Sequence, residues 1–448
     1  MATKKLKEKL SKAELAFLVH ACTAIGRLLP HVEVIEWRES SWNESRAVWK
    51  SSQRKEIAFT VGVRSAGIPE GRSLHAVIRR RKDREKSSVS ETLDQREHHI
   101  CRLVAAEIAL IFATEHGVPN VALPAIEKAF DEHIVSRHLR EHHAVDLPVS
   151  DLLGVLHTLA EETYENKALT FGCVVDPNIL ADGRSNFPKD FTTSKKFKAL
   201  SDGYRTAYVV SGNGAVIRFA DLDVYSTKEF SGAHFYPEWA EPMARASRGD
   251  KFGISLSRQG DVLVFEQGTL RFSYRYGRWQ YWNHSHLVNL IKDMMHYVPI
   301  KSRGNVAGAI YRAAIDVSFR RSGGLFVILK DKKSVSEIVR NGDAIGHVGR
   351  SRQELEFDRF LENKKVHGMS RRVLVELASL DGAVVLTSRG ALLAYGAVLQ
   401  PKRKGRLKGT EGSRTKAAIG ASHFGLAVKI SSDGDITLYS DGKAYMKV

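Results

Sequence analysis

One pattern of predicted elements occurs twice in this chain of 448 residues and limits the folds open to it. In each occurrence a helical segment precedes an apolar strand, and two hairpins with glycine turns follow. The turn glycines are Gly214 and Gly260 in the first pattern and Gly390 and Gly434 in the second. The shared order and nearly equal spacing predict an internal duplication of one helix-plus-sheet unit. The alternative is that similar hairpins arose separately in two unrelated regions.

The alternation of helices and strands predicts an α/β fold, with a mixed β-sheet flanked by helices in each of two related units. A smaller α/β domain of unknown role is expected at the N-terminus. The expected domains are residues 1–145, 146–300 and 301–448. The predicted elements of the first domain are helices at 11–29, 90–117 and 125–139 and strands at 32–35, 57–61 and 75–78.

The formal net charge of +17 favours polyanionic partners, which include nucleotides and nucleic acids. The basic run from Arg79 to Lys86 could bind nucleic acid or a partner, although a solvated charged turn is the more frequent meaning of such a run. No apolar run approaches the roughly 20 residues of a membrane span. The N-terminus lacks an apolar signal region, and the three cysteines lack metal-ligand spacing. We therefore expect a cytoplasmic protein without a membrane segment.

Several histidines cluster in the first third of the chain. They lack the fixed spacing that zinc-binding helices have, so the sequence argues against a metal site there. The residues concerned are His98, His99, His133, His138, His142 and His143.

The segment from residue 380 to residue 420 concentrates the residues that could carry chemistry. Asp381 stands at the mouth of a predicted strand, where a carboxylate can hold a divalent cation. The run Gly412-Ser413-Arg414-Thr415-Lys416 offers backbone N–H groups, hydroxyls and two cations, which suit a polyphosphate. Taken singly, a strand Asp and a solvated basic loop are common features of proteins without such a site.

Together and in this order, the two motifs resemble the diadenylate cyclase (DAC) domain. That domain is the nucleotide-binding domain of the DNA-integrity scanning protein and its membrane-bound relatives. The family carries Asp-Gly-Ala and, after a strand pair, Gly-Thr-Arg-His-Arg-Ala-Ala. The corresponding runs here are Asp381-Gly382-Ala383 and Gly412-Ser413-Arg414-Thr415-Lys416-Ala417-Ala418. The resemblance spans about residues 304–448.

The resemblance implies roles for individual residues. Asp381, Arg414 and Lys416 would be catalytic, and Asp381 would hold Mg²⁺ or Mn²⁺. Leu399 would contact adenine, but a strand residue in the core is an equally good interpretation. The nucleotide-binding residues implied by the family are Gly382, Ala383, Leu399, Gly412, Ser413, Arg414, Thr415 and Lys416.

The implied activity is that of a nucleotidyltransferase that condenses two ATP molecules into cyclic di-AMP, a second messenger, and releases pyrophosphate. Because each cyclase domain contributes one ATP, a homodimer or larger homo-oligomer with facing sites is also implied. Thr415 and Lys416 stand where the family has His and Arg, and Ser432 stands where it has Glu. These departures keep open the alternative of a nucleotide sensor without turnover.

The first of the two patterns lacks these residues. With Gly214 set against Gly390, Arg205 takes the place of Asp381. With Gly260 set against Gly434, Ala240 and Pro242 take the places of Arg414 and Lys416, and the acidic Glu241 takes that of Thr415. We therefore expect residues 146–300 to be a degenerate, sensor-type DAC-like unit. Its aromatic residues could stack a base or pack in the core; they are Tyr274, Tyr276, Trp279, Tyr281 and Trp282.

Overall fold

The computed structural model describes residues 23–30, 32–41, 57–61, 72–80, 94–113, 123–179, 181, 187–188, 194–225, 234–340, 342–347, 349–362, 364–400 and 412–448. The start of the first predicted helix and most of the basic run at 79–86 lie outside these residues, and so does a second basic run at 402–408.

The described part of the chain divides into two compact units. The first takes in residues up to 80, residues 94–234 and residues 239–282. The second takes in residues 235–238 and 283–448. The three-domain division expected from the sequence stays a prediction.

The first unit begins with helical residues 23–28 and a three-stranded antiparallel sheet. The strands are β1 (Val32–Ser41), β2 (Ile57–Val61) and β3 (Arg72–Arg80), in the order β1-β3-β2. Two long helices follow, α1 (Gln95–Ala113) and α2 (Leu123–His143). Both were predicted, because their apolar residues recur at helical spacing.

A mixed seven-stranded sheet forms the larger part of the first unit, in the order β12-β11-β10-β9-β6-β7-β8. A small hairpin, β4 (Thr163–Tyr164) and β5 (Lys167–Ala168), precedes it. The helices are α3 (Val149–Glu161), α4 (Lys195–Leu200) and α5 (Glu241–Ala246). The strands are β6 (Phe171–Asp176), β7 (Thr206–Ser211), β8 (Val216–Asp221), β9 (Phe252–Leu256), β10 (Val262–Glu266), β11 (Thr269–Arg275) and β12 (Arg278–Tyr281).

A six-stranded mixed sheet forms the second unit, in the order β15-β14-β13-β16-β17-β18. Its strands are β13 (Gly324–Leu329), β14 (Ala383–Leu386), β15 (Leu392–Ala397), β16 (Gly425–Ile430), β17 (Ile436–Ser440) and β18 (Lys443–Lys447). Its helices are α6 (His284–Met294), α7 (Ile300–Arg320), α8 (Val335–Ile338), α9 (Arg352–Leu361), α10 (Arg371–Ser379) and α11 (Ser413–Ala421).

The two large sheets share one topology. Among the described strands, each sheet has one parallel pair, β6–β7 in the first and β13–β14 in the second. The central strands also agree in register: Cys173 pairs with Tyr208 and Ile254, and Phe326 pairs with Val384 and Val428. This is the correspondence that the four turn glycines predict from the sequence. Shared order, direction and register support a duplication.

Burial explains why these segments became strands and helices. Every residue of β6 and of β13 is buried, as expected for central strands covered on both faces. Of the aromatic residues noted in the first unit, Trp279, Tyr281 and Trp282 are buried, so they pack in its core.

No helix in the described part of the chain is long and apolar enough to cross a membrane.

Candidate functional site

One end of the six-stranded sheet gathers the residues singled out in the sequence. Strands β13 and β14 are parallel, so Gly324 and Ala383 both begin a strand at this end. Strand β16 is antiparallel to β13 and ends here, because Ile430 pairs with Gly324. Helix α11 leads into the opposite end of β16, so its N-terminus lies at the same end as Asp381.

Asp381 is held at this end by an unusual glycine. Gly382 has a φ of +120°, and a Cβ placed on it would overlap the carbonyl carbon of Gly396. The close approach continues into the sheet, where Ala383 pairs with Ala397. Only glycine meets both conditions, because a positive φ strains other residues and a side chain has no room. Asp381 itself is exposed, so its carboxylate faces solvent at the mouth of β14.

Leu399 follows β15 and is fixed by backbone contacts on both sides. It forms an isolated antiparallel bridge with Val339. The adjacent Val398 N–H donates to Oδ2 of Asp343 at 2.9 Å, and Gln400 N–H donates to the Ile338 carbonyl at 2.7 Å. The Leu399 side chain is half-buried and packs against the core of the unit. Both interpretations of Leu399, core residue and adenine contact, therefore stay open.

The basic motif forms the start of a helix. Gly412 is the N-cap of α11 and has an extended backbone, and no side chain caps the first turn. The first N–H groups of a helix have no partner within it and attract anions. Ser413 and Lys416 are exposed, so they can reach a ligand from this turn. The motif predicted as a phosphate-binding turn is thus a helix N-terminus with a hydroxyl and cations beside it.

Arg414 packs against the turn that precedes β13. Gly323 has a φ of +69°, and a Cβ on it would overlap the Arg414 guanidinium. Glycine at this position leaves the space that the guanidinium occupies. Arg414 is half-buried there, so its charge is held close to the sheet end and to the start of the helix.

Lys429 is a cation that the sequence analysis did not single out. It lies on β16 opposite Leu325, and its Nζ donates a hydrogen bond of 3.0 Å to Oγ1 of Thr415. The contact joins the penultimate residue of a strand to the first turn of α11. A lysine in an apolar strand near its end is a weak signal of such a role. Together with Arg414 and Lys416, Lys429 gives this end of the sheet three cations.

The residues that precede Asp381 are anchored by an ion pair between a partly exposed arginine and a buried aspartate. Arg371, in the first turn of α10, donates from Nη2 to Oδ1 of Asp316 on α7 at 2.8 Å. Asp316 also accepts the N–H of Glu238 at 2.7 Å. Burial raises the pKa of Asp316, and the Arg371 guanidinium offsets part of that rise. Helix α10 leads directly into Asp381, so this pair fixes the approach of the chain to the site.

A second buried pair orders the connection between α8 and α9. Arg350 Nη1 lies 2.5 Å from Oδ1 of Asp358, and both groups contact the Tyr395 hydroxyl at 3.0 Å. Asp358 also accepts the N–H of Gly346 at 2.9 Å. Burial raises the pKa of Tyr395. The network ties this connection to β15, the strand that leads to Leu399.

The carboxylates at this end could bind a divalent metal only if a bound nucleotide and water supplied the rest of its coordination shell. Asp381 and Asp433 are both exposed, and Asp433 lies in the turn between β16 and β17. Neither belongs to a group of three possible metal ligands among the described residues. Mg²⁺ commonly takes one or two carboxylates together with phosphate oxygens and water. Asp381 therefore fits Mg²⁺ or Mn²⁺ that arrives with a nucleotide.

The matching end of the first unit is built differently. Phe171 takes the place of Gly324, and its ring stacks on Tyr208 with centroids 6.0 Å apart. Asp202 uses Oδ1 to accept the N–H groups of residues 204–206, at 2.8–3.1 Å. Glu241, which replaces Thr415, pairs with Arg245 at 2.7 Å. An aromatic ring and an internally paired acid thus occupy the positions that hold Gly324 and Thr415 in the second unit.

Comparisons with known proteins bear on the second unit. Residues 311–444 match the family model described as DAC, DisA bacterial checkpoint controller nucleotide-binding. No curated protein matches the chain.

Two solved structures are similar to part of the chain. A hypothetical membrane spanning protein from Bacillus cereus is 17% identical, over 37% of this chain and 76% of that one, with a TM-score of 0.25. DacA from Staphylococcus aureus, solved as a double cysteine mutant, is 20% identical, over 33% of this chain and 89% of that one, with a TM-score of 0.24. The match of the family model therefore makes residues 311–444 similar in sequence to the DAC nucleotide-binding domain.

Proposed function

We propose that this protein is a diadenylate cyclase, a nucleotidyltransferase that converts two ATP molecules into cyclic di-AMP and pyrophosphate. The observation that carries the proposal is the convergence of Asp381 and the N-terminus of α11 at one end of the sheet. An acid and a helix N-terminus with cations are what a nucleotide with its metal needs. The match of residues 311–444 to the DAC family model supports the same conclusion.

In this proposal the chain binds and orients ATP. The N–H groups at Gly412 and Ser413 hold phosphate oxygens, and Arg414, Lys416 and Lys429 neutralise their charge. Asp381 holds the metal, which supplies charge neutralisation to the phosphates. The 3′-hydroxyl oxygen of one ATP attacks the α-phosphorus of the other, the bond to the β-phosphate oxygen breaks, and pyrophosphate leaves. The hydroxyl proton is released, and a second such step closes the ring.

The proposed reaction also implies an assembly. One domain supplies one ATP, so two copies must face each other for the two attacks to occur. We therefore propose a homodimer or larger homo-oligomer, with the first unit as a sensor or regulatory part. The first unit's lack of the acid and cations is the observation that supports this division of roles.

A second candidate is a nucleotide sensor that binds ATP without turnover. Thr415 cannot act as an imidazole, and Lys416 lacks the bidentate geometry of arginine. Ser432 provides no carboxylate. Such a protein would keep the phosphate contacts and lose the chemical step.

One experiment separates the two candidates. The full chain is incubated with ATP and Mg²⁺ or Mn²⁺, the products are analysed by mass spectrometry, and ATP binding is measured by calorimetry. A cyclase yields cyclic di-AMP, and Asp381→Asn removes the product. The control is Asp441→Asn, because Asp441 is an exposed acid in the hairpin turn at the opposite end of the same sheet. Binding without product supports the sensor, and absence of both binding and product overturns both candidates.

A further inference from the structure

A group of histidines surrounds a buried glutamate in the first unit, far in sequence from the DAC motifs. Glu266 is the last residue of β10, and its side chain is 0% exposed. Three histidines from the C-terminal part of α2 face it: His138, His142 and His143. The spacing of His138 and His142 by four residues places both on one face of the helix. A strand and a helix therefore contribute imidazoles and a carboxylate to one point.

The imidazole nitrogens lie at distances from the Glu266 carboxylate that are close to those between the ligands of one metal ion. His143 Nε2 lies 2.8 Å and His142 Nε2 4.0 Å from Oε1 of Glu266. His138 Nε2 lies 3.5 Å from Oε2. Ligand atoms of a tetrahedral zinc ion, at about 2.1 Å from the metal, stand about 3.4 Å apart. The ligand atoms of His142, His143 and Glu266 all lie within 4.8 Å of one another, and His138 lies beside Glu266.

The polar atoms of this group are not satisfied by the rest of the protein. Neither ring nitrogen of His138 makes a hydrogen bond with a described residue, although the side chain is 0% exposed. Oε2 of Glu266 is likewise buried without a hydrogen bond in the described part of the chain. Unsatisfied buried polar atoms cost free energy, so such a pair indicates a missing partner. A cation between His138 and Glu266 would satisfy both.

The environment of His143 also favours a metal ligand. Its Nδ1 lies 2.6 Å from the Asp250 carbonyl oxygen and donates a hydrogen bond to it. In the neutral ring this leaves Nε2 with a lone pair that faces Glu266. Metal-binding histidines are typically oriented in this way by a carbonyl or carboxylate on their other nitrogen.

Arg96 is the competing cation, with Nε 3.9 Å from Oε2 of Glu266. The rival explanation is a metal-free cluster in which Arg96 and a doubly protonated histidine neutralise the glutamate. That arrangement pairs Nε2 of His138 with Glu266 only at 3.5 Å and leaves its Nδ1 without a hydrogen bond in the described part of the chain, whereas a metal ion would coordinate the ring. His142 is 36% exposed, which gives an ion a route from solvent.

We propose that His138, His142, His143 and Glu266 bind one Zn²⁺ ion, which links helix α2 to strand β10. Four nitrogen and oxygen ligands, three of them buried, are typical of a structural zinc site. The proposal differs from the expectation from sequence, which argued against a metal site at these histidines. Spacing along α2 did not reveal the site, because the carboxylate comes from a strand 123 residues beyond His143.

The test uses the tag-free full chain, exposed to Zn²⁺, desalted and analysed for metal by mass spectrometry. We expect about one zinc ion per chain in the wild type and a loss of most of it in His143→Gln and Glu266→Gln. His133→Gln is the matched control, since His133 is exposed on the same helix and pairs with Glu107. The control should retain the metal.

A second measurement guards against variants that fail to fold. Substitution of Co²⁺ into the wild type should produce the visible absorption of a tetrahedral site, and Zn²⁺ should displace it. Zinc should raise the thermal midpoint of the wild type and of Asp381→Asn alike, because the site does not depend on the proposed cyclase activity. A wild type that retains no zinc, or a Glu266→Gln variant that retains all of it, overturns the proposal in favour of the metal-free cluster.

Discussion

Lys429 on β16 donates a 3.0 Å hydrogen bond to the Thr415 hydroxyl in the first turn of α11. The contact brings a lysine from the sheet to the turn that offers N–H groups to a phosphate. Thr415 stands where the DAC family has histidine. Its hydroxyl accepts the hydrogen bond from Lys429 and so positions that lysine beside the first turn of α11. Lys429 thereby becomes part of the candidate site.

Replacement of Lys429 by methionine should weaken ATP binding about tenfold, which corresponds to about 1.4 kcal/mol. The reason is the loss of a cation beside the phosphates, while the aliphatic volume is kept. Calorimetric titration with ATP at two ionic strengths checks this, because a charge effect shrinks as salt rises. Lys443→Met is the control at the opposite end of the sheet. Equal affinity of Lys429→Met and wild type would exclude a phosphate contact.

Replacement of Lys416 by arginine should strengthen ATP binding a few-fold, because a guanidinium can bind a phosphate through two parallel hydrogen bonds. Lys416→Met should weaken binding by about tenfold. Both variants keep an exposed side chain in the first turn of α11, so the fold should not change. The dissociation constants from the same titration provide the measurement. If all three proteins bind alike, Lys416 faces away from the ligand.

Replacement of Gly382 by alanine should lower the free energy of unfolding of the second unit by about 3 kcal/mol or more. The backbone has a positive φ at this residue, and the added Cβ would overlap the backbone of Gly396. Gly342→Ala separates the two effects. Gly342 also has a positive φ, +101°, but has open space around its Cβ position. It should cost only about 1 kcal/mol. Urea unfolding measures both, and equal losses would show that the approach of Gly396 is unimportant.

Removal of the second member of the Arg371–Asp316 pair should cost less once the first member has been removed. Asp316→Asn and Arg371→Leu should each cost about 3 kcal/mol, because a buried charge loses its partner. The double variant should lose less than the sum, with a coupling energy of about 1 kcal/mol or more. Urea unfolding of the four proteins supplies the cycle. Strict additivity would mean that the pair does not anchor α10.

Local pattern was enough to predict the leading helix, the central strand and the two glycine hairpins of each large sheet, but not the strands β11, β12 and β18. The glycine turns and apolar strands depend on short-range chemistry, since a turn needs positive φ and a central strand needs apolar residues on both faces. For the same reason, the alignment of Gly214 with Gly390 and of Gly260 with Gly434 yields the register that the strands have. The Asp-Gly-Ala motif likewise followed from the sequence, because Gly382 is required by its own backbone conformation.

Only the tertiary structure decided which distant side chains meet. Lys429 reaches Thr415 because α11 folds back along β16, and Arg371 reaches Asp316 because α10 packs on α7. Glu266 contacts His143, although 123 residues separate them in the sequence. No periodic pattern in the sequence predicts that contact. Sequence pattern reports which face of an element is buried. It does not report what that face packs against, because helix and strand packing is set by the shape and volume of the whole core.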